Sequence, residues 1–264
     1  MRIRYFSYRQ LDGDKMIDRE HLGYINNILS LNNNKVDIGI LYDVLTAIKE
    51  DDSVSFLQYI LSTSKNDIDL LTRVYKTVEQ ISASEEDILD SFSNNQMKSK
   101  SRVLELVHEN NFINRDSEVI IFGSWYGSIL IPGLCDKVKR ISCIDSDERV
   151  LKIAKNRLFP DIDNVDYIPG NVFDLDLKRY HDTDLFINTS CEHMPPMNTW
   201  PYWPENANFV FTSNNMYDIE GHVNCADSMA DFKSQLPANS SVLSEDEITD
   251  ERGTRFLVAG TINS

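Results

Sequence analysis

VIIFGSWYGS (119–128), followed by ISCIDSD (141–147), decides the fold. An apolar run of strand length, a turn carrying Gly123 and Gly127, a helical stretch and a second strand ending in an acid form the minimal nucleoside-binding unit. Gly123 lets the backbone turn tightly against a ligand. Asp145, twenty-two residues further on, supplies a carboxylate able to accept both ribose hydroxyls.

Downstream, short β-rich runs alternate with helical ones, the pattern of a parallel sheet with crossover helices. The predicted strands are EVIIF (118–122), RISCID (140–145), VDYIP (165–169), DLFINT (184–189), NFVFTS (208–213), SVLSEDE (241–247) and TRFLVAG (254–260). SILIPGLCDK (128–137) and DERVLKIAKNRL (147–158) supply helices, the second with Val150, Ile153, Ala154 and Leu158 on one face. Only the polar ITDERG (248–253) separates the last two strands, so they form a hairpin and the final strand enters the sheet antiparallel.

Upstream, from Ile17 to Phe112, every apolar pattern is helical. Ile38, Leu41, Leu45 and Ile48 share one stripe, and Ile68, Leu71, Val74, Tyr75 and Val78 repeat the spacing. Ser53, Asp67 and Ser84 open such runs as N-caps, and polar joints fall at 31–35, 63–66 and 91–96. Two units follow: a helical lid over 1–113 and a Rossmann-like domain over 114–264.

The chain has 264 residues, 41% hydrophobic and 26% charged, enough for a packed core. Against 26 Lys and Arg stand 42 Asp and Glu, a formal charge of -16. That balance repels phosphate backbones and anionic membranes, so nucleic acid is a disfavoured partner and a small molecule the expected one. No run approaches the 18 or so apolar residues of a membrane span and no signal-peptide pattern is present, so a cytoplasmic protein is expected. The four cysteines form no CxxC pair and read as reduced thiols. Clustered Asn and only 10 Gly hint at an AT-rich coding sequence, as in a phage or a small bacterial genome. A phage protein would work in the host cytoplasm.

Seven strands closing in a C-terminal hairpin, with the nucleoside-binding unit at their start, resemble the class I S-adenosylmethionine-dependent methyltransferase superfamily over 115–264. The resemblance implies a Rossmann-like α/β sheet with an antiparallel last strand, S-adenosylmethionine as cofactor and a small-molecule acceptor. Carried over by position, Gly123, Ser124, Trp125 and Gly127 correspond to the glycine loop, Asp145 and Ser146 to the ribose contact, Asn171 and Val172 to the adenine edge, and Asn188 to the end of the fourth strand. Two positions depart from the pattern. Trp125 stands where the loop has its middle glycine, and Ile121 or Phe122 where an acid commonly orders the methionine amino group. MPPM (194–197) lacks the flanking groups of the nucleobase amino-methyltransferase signature.

NTSCEHM (188–194) follows the fourth strand, whose carboxyl end should point at the crevice. Asn188, Ser190, Glu192 and His193 are its catalytic candidates, the last two as general acid or base. A second polar constellation, SNNMYDIEGHVNCADS (213–228), follows the fifth strand at the same sheet edge and carries Asn214, Asn215, Tyr217, Asp218, Glu220 and His222. Cys191 and His193 with His222 and Cys225 offer a zinc arrangement, but the spacing is not a common ligand pattern. Buried thiols and substrate-facing imidazoles are the reading taken, with no metal. Lys98, Lys100 and Arg102 form a basic cluster, read as a solvated helix end or a site for a ligand carboxylate.

The expected activity is therefore methyl transfer to a small molecule. One alternative is aminocarboxypropyl transfer or ring closure of the nicotianamine-synthase-like type, which also joins a helical N-terminal part to this fold. The other is a non-catalytic, phage-borne binding or structural protein.

Overall fold

The computed structural model describes residues 91–264 together with Arg73, Ile88 and Asp90. The helical stripes and caps expected before residue 88 lie outside the described residues.

Seven strands form one sheet: β1 (Glu118–Phe122), β2 (Arg140–Asp145), β3 (Val165–Pro169), β4 (Leu185–Asn188), β5 (Asn208–Asn214), β6 (Ser240–Asp250) and β7 (Gly253–Ile262). Their order is β3-β2-β1-β4-β5-β7-β6. β1 pairs parallel with β2 and β4, β2 with β3, and β4 with β5. β7 inserts antiparallel between β5 and β6, as the hairpin predicts. The strands run longer there than the sequence suggests, leaving Glu251 and Arg252 as the turn. β4 is shorter, and Thr189 falls in the crevice instead of the strand.

Covered parallel strands read as continuous apolar runs, since both faces are buried. β1 divides its residues by period two. Val119 and Ile121 join a largely aliphatic core, while Ile120 and Phe122 join an aromatic one with Phe186, Trp200, Trp203 and Phe211. Phe122 lies 5.7 Å from Phe186 and 5.2 Å from Trp200 between ring centroids.

The aliphatic face is covered by α1 (Asn94–Glu109), α2 (Leu130–Leu134) and α3 (Glu148–Ile153); α4 (Met229–Ser234) gives Phe232 to the other face. The 91–96 joint narrows to a cap, because Ser93 accepts from the Gln96 amide and α1 begins at Asn94. α1 buries Val103, Leu106 and Val107. Arg102 ties it to the β6 edge through Asp246 at 2.6 Å, and also pairs with Glu105 and Glu109. The predicted 147–158 helix is α3, capped by Asp147, continuing as a π-turn over Ala154–Leu158. Among the described residues no helix is long and apolar enough to cross a membrane.

Candidate functional site

Strand order reverses between β1 and β4, where open α/β sheets receive ligands at their carboxyl ends. A cavity of about 740 Å³ lies there, bounded by the loops after β1 to β5, by α1 and by the β6–β7 hairpin.

On the β1–β2 side the loop alternates left-handed residues: Gly123, Trp125 and Gly127 have φ of +55°, +51° and +63°. Trp125 thus adopts what the missing middle glycine would favour, at a cost of ~1–2 kcal/mol for an L-residue. Asp145 holds it there. Its Oδ2 accepts from the Trp125 amide at 2.7 Å, and its Oδ1 from the Asp147 amide at 2.9 Å. Each oxygen keeps a further acceptor direction, and Asp145 borders the cavity. Gly123 has a second reason to be glycine: a Cβ there would stand 2.9 Å from Met194 Cε and 3.0 Å from Ser190 Cβ. Asn171 accepts from the Phe173 amide at 3.1 Å, capping a 3-10 turn (Val172–Asp174), and borders the cavity with Val172 and Ser146.

The β4–β5 side places two buried charged side chains, Glu192 and Arg255, beside two more accessible imidazoles. Glu192 is 4% exposed. Its Oε1 accepts from Asn214 Nδ2 at 2.6 Å and stands 3.6 Å from Arg255 Nη1, whereas Oε2 has no hydrogen-bond partner. Arg255, on β7, is itself buried with an unpartnered Nε. His193 donates through Nδ1 to the Gly221 carbonyl at 3.0 Å, and His222 through Nδ1 to the Met216 carbonyl at 2.8 Å. The two rings meet edge to face, 4.6 Å between centroids.

Lys100, from α1, reaches the cavity with its ammonium 5.6 Å from the Trp125 ring centroid. Burial, helped by the Arg255 charge, lowers its pKa to about 8 against the opposing pull of Asp90 and Glu192. Of the basic cluster only Lys100 enters the crevice. Lys98 is exposed and Arg102 is ion-paired.

Gly123, Trp125, Asp145, Ser146, Asn171 and Val172 thus border the cavity, as do Ser190, Glu192 and His193. Ser124, Gly127 and Asn188 stand behind that lining. Asn188 is fully buried, donating to the Met194 sulfur at 3.3 Å and accepting from the Ser190 amide at 2.9 Å. Ser190 Oγ in turn reaches the Gly123 carbonyl at 3.4 Å, joining the β1 and β4 loops. The two thiols differ. Cys191 is buried near the Asn188 carbonyl, whereas Cys225 Sγ contacts His222 Nδ1 at 3.6 Å, the nitrogen already given to the Met216 carbonyl.

Arg255 and Asp90 are cavity residues that the sequence reading missed. For Arg255 the signal was a lone charge at an inward position of the apolar TRFLVAG strand.

The fold has solved counterparts. The N-methyltransferase NodS of Bradyrhizobium japonicum, in complex with S-adenosyl-L-homocysteine, is 13% identical with a TM-score of 0.54, over 73% of this chain and 100% of that one. YcgJ of Bacillus subtilis is 10% identical with a TM-score of 0.51, over 62% and 99%. No family model matches the sequence, and no curated protein matches it either. The chain has the class I methyltransferase fold, and at these identities the likeness is one of fold.

Proposed function

We propose that the protein is an S-adenosylmethionine-dependent methyltransferase acting on a small molecule in the cytoplasm. The observation that carries this reading is the convergence of Gly123, Asp145 and Asn171 on one cavity at the carboxyl ends of β1, β2 and β3. Asp145 has both oxygens fixed by backbone amides yet retains acceptor directions for a ribose diol. Asn171 and Val172 take the adenine edge. No acid ends β1, where Phe122 is buried among aromatic rings. The amino-acid end of the cofactor falls instead to Lys100 and Arg255 for its carboxylate and to Asp90 for its ammonium, all three bordering the cavity. The unpartnered Arg255 Nε is a donor that an anionic group would satisfy.

When bound, S-adenosylmethionine supplies an activated methyl carbon next to a positive sulfur. The chain's task is to hold the acceptor in line with it and exclude water. Ser190, Glu192 and His193, beside Gly123, form the acceptor wall. Glu192 and the His193 Nε2 lone pair are groups able to take the acceptor's proton.

The absence of an acid after β1 also favours a second reading, attack at the methionine side chain. Titration calorimetry with S-adenosylmethionine, followed by mass spectrometry of turnover products, separates the readings. S-adenosylhomocysteine marks methyl transfer and methylthioadenosine the side-chain chemistry. Binding without turnover marks a non-catalytic protein, and no binding overturns the proposal.

A further inference from the structure

We infer that Glu192, His193 and His222 form a binding site for a divalent first-row transition-metal ion on the acceptor side of the cavity. One ligand atom from each lies within 4.8 Å of the other two. Both imidazoles spend their Nδ1 proton on a backbone carbonyl, Gly221 for His193 and Met216 for His222. That bond leaves Nε2 of each ring as the nitrogen available to an ion, and is the outer hydrogen bond that orients metal-bound histidines. The carboxylate is prepared in the same way. Asn214 and Arg255 occupy Oε1 and hold the group still, while Oε2 remains a buried acceptor with no partner. Two imidazoles and a carboxylate grouped this closely, with one buried carboxylate oxygen left without a partner, form a set that a cation would satisfy.

Two nitrogens and one carboxylate suit zinc, manganese or ferrous iron, whereas calcium and magnesium prefer all-oxygen shells. Metal bonds of ~2.0–2.2 Å bring such ligand atoms to roughly 3.3 Å from one another. His193 is exposed on its 3-10 turn (Cys191–His193), so closing that gap asks for a shift of its ring about the Gly221 hydrogen bond and no displacement of buried packing. Three protein ligands leave positions open for an acceptor hydroxyl, which the ion would hold and acidify in place of proton uptake by Glu192 and His193, whose lone pairs it would occupy. That last role rests on the methyl-transfer reading; binding of the ion does not.

The test uses the full chain, stripped with chelator and titrated with zinc chloride in the absence of S-adenosylmethionine, with cobalt(II) absorption as an independent probe of the ligand set. One equivalent of zinc is expected, with affinity reduced at least 100-fold in both His193→Asn and Glu192→Gln. His193→Asn alters an exposed residue and should keep the parental melting temperature in chelator. Absence of stoichiometric binding, or undiminished affinity in a folded His193→Asn protein, would overturn the site. Because no cofactor is present in the titration, failure of methyl transfer would leave a positive result intact.

Discussion

The two walls of the crevice are made in opposite ways. On the β1–β2 wall, side chains serve the backbone next to them: Asp145 accepts from the amides of Trp125 and Asp147, and Asn171 from that of Phe173. On the β4–β5 wall, buried side chains serve one another across distant elements, with Glu192 meeting Asn214 and Arg255 and leaving polar atoms unsatisfied on both Glu192 and Arg255. Fully bonded local geometry gives a rigid cradle. Unsatisfied buried charge gives a wall whose energy is recovered only when a ligand or ion arrives.

Removing Asp145 should break the first wall most severely. Asp145→Ala loses two bonds to the loop and the diol contact, each charged hydrogen bond contributing ~1.5–3 kcal/mol. S-adenosylmethionine affinity should fall at least 100-fold by calorimetry, with a lower melting temperature. Undiminished affinity in a folded variant would show that the cradle does not hold the ribose.

Lys100 sharpens the contrast from the other side. Its pKa is lowered to about 8, so the folded chain holds this proton less well than the unfolded chain. Between pH 8 and about 10.5 the unfolded state binds more protons, and the contribution of Lys100 to stability rises with pH across that window. Below pH 8 its cost is complete, about 3 kcal/mol from the shift. Lys100→Met should therefore raise the melting temperature at pH 7, and the gain should vanish near pH 10.5. A gain independent of pH would mean that packing, not charge, sets it.

The smallest effect belongs to Trp125→Gly. Relief of the left-handed strain, ~1–2 kcal/mol, is offset by the entropy of a new glycine, by loss of the half-buried indole's packing against the aliphatic core, and by loss of a Lys100–ring contact contributing ~0.5–1 kcal/mol. The melting temperature should move by only a few degrees. A collapse of stability would mean that the indole's packing against the aliphatic core outweighs the strain it carries.

The same contrast explains what could be read from the chain. β1, β2 and β3 fall on their expected residues because apolar runs bounded by turns are local signals. Asp145 was identified because its partner lies in the adjoining loop, linked by the unit's own spacing. Glu192 and His193 border the cavity as their position after β4 suggests, and Asn214 and His222 were legible as a polar constellation after β5 at the same sheet edge. Arg255 was not, because it comes from a strand reached only after β6. The thiols suggested for a zinc arrangement were neighbours of the imidazoles in sequence. In the fold Cys191 turns into the core and Glu192 takes its place beside the two histidines.

β7 is synthesised after β6 yet sits between β5 and β6. Until it docks, β5, buried along nearly its whole length in the finished protein, presents an open, sticky edge of unpaired amides and carbonyls. β6 has no place in the sheet at that stage, since its pairing is with β7. An incompletely folded chain is therefore exposed to self-association at the edge that later brings Arg255 to the crevice. Sheet closure and assembly of the binding wall are one event, so a slip of β7 register would produce a protein that is both inactive and prone to aggregate.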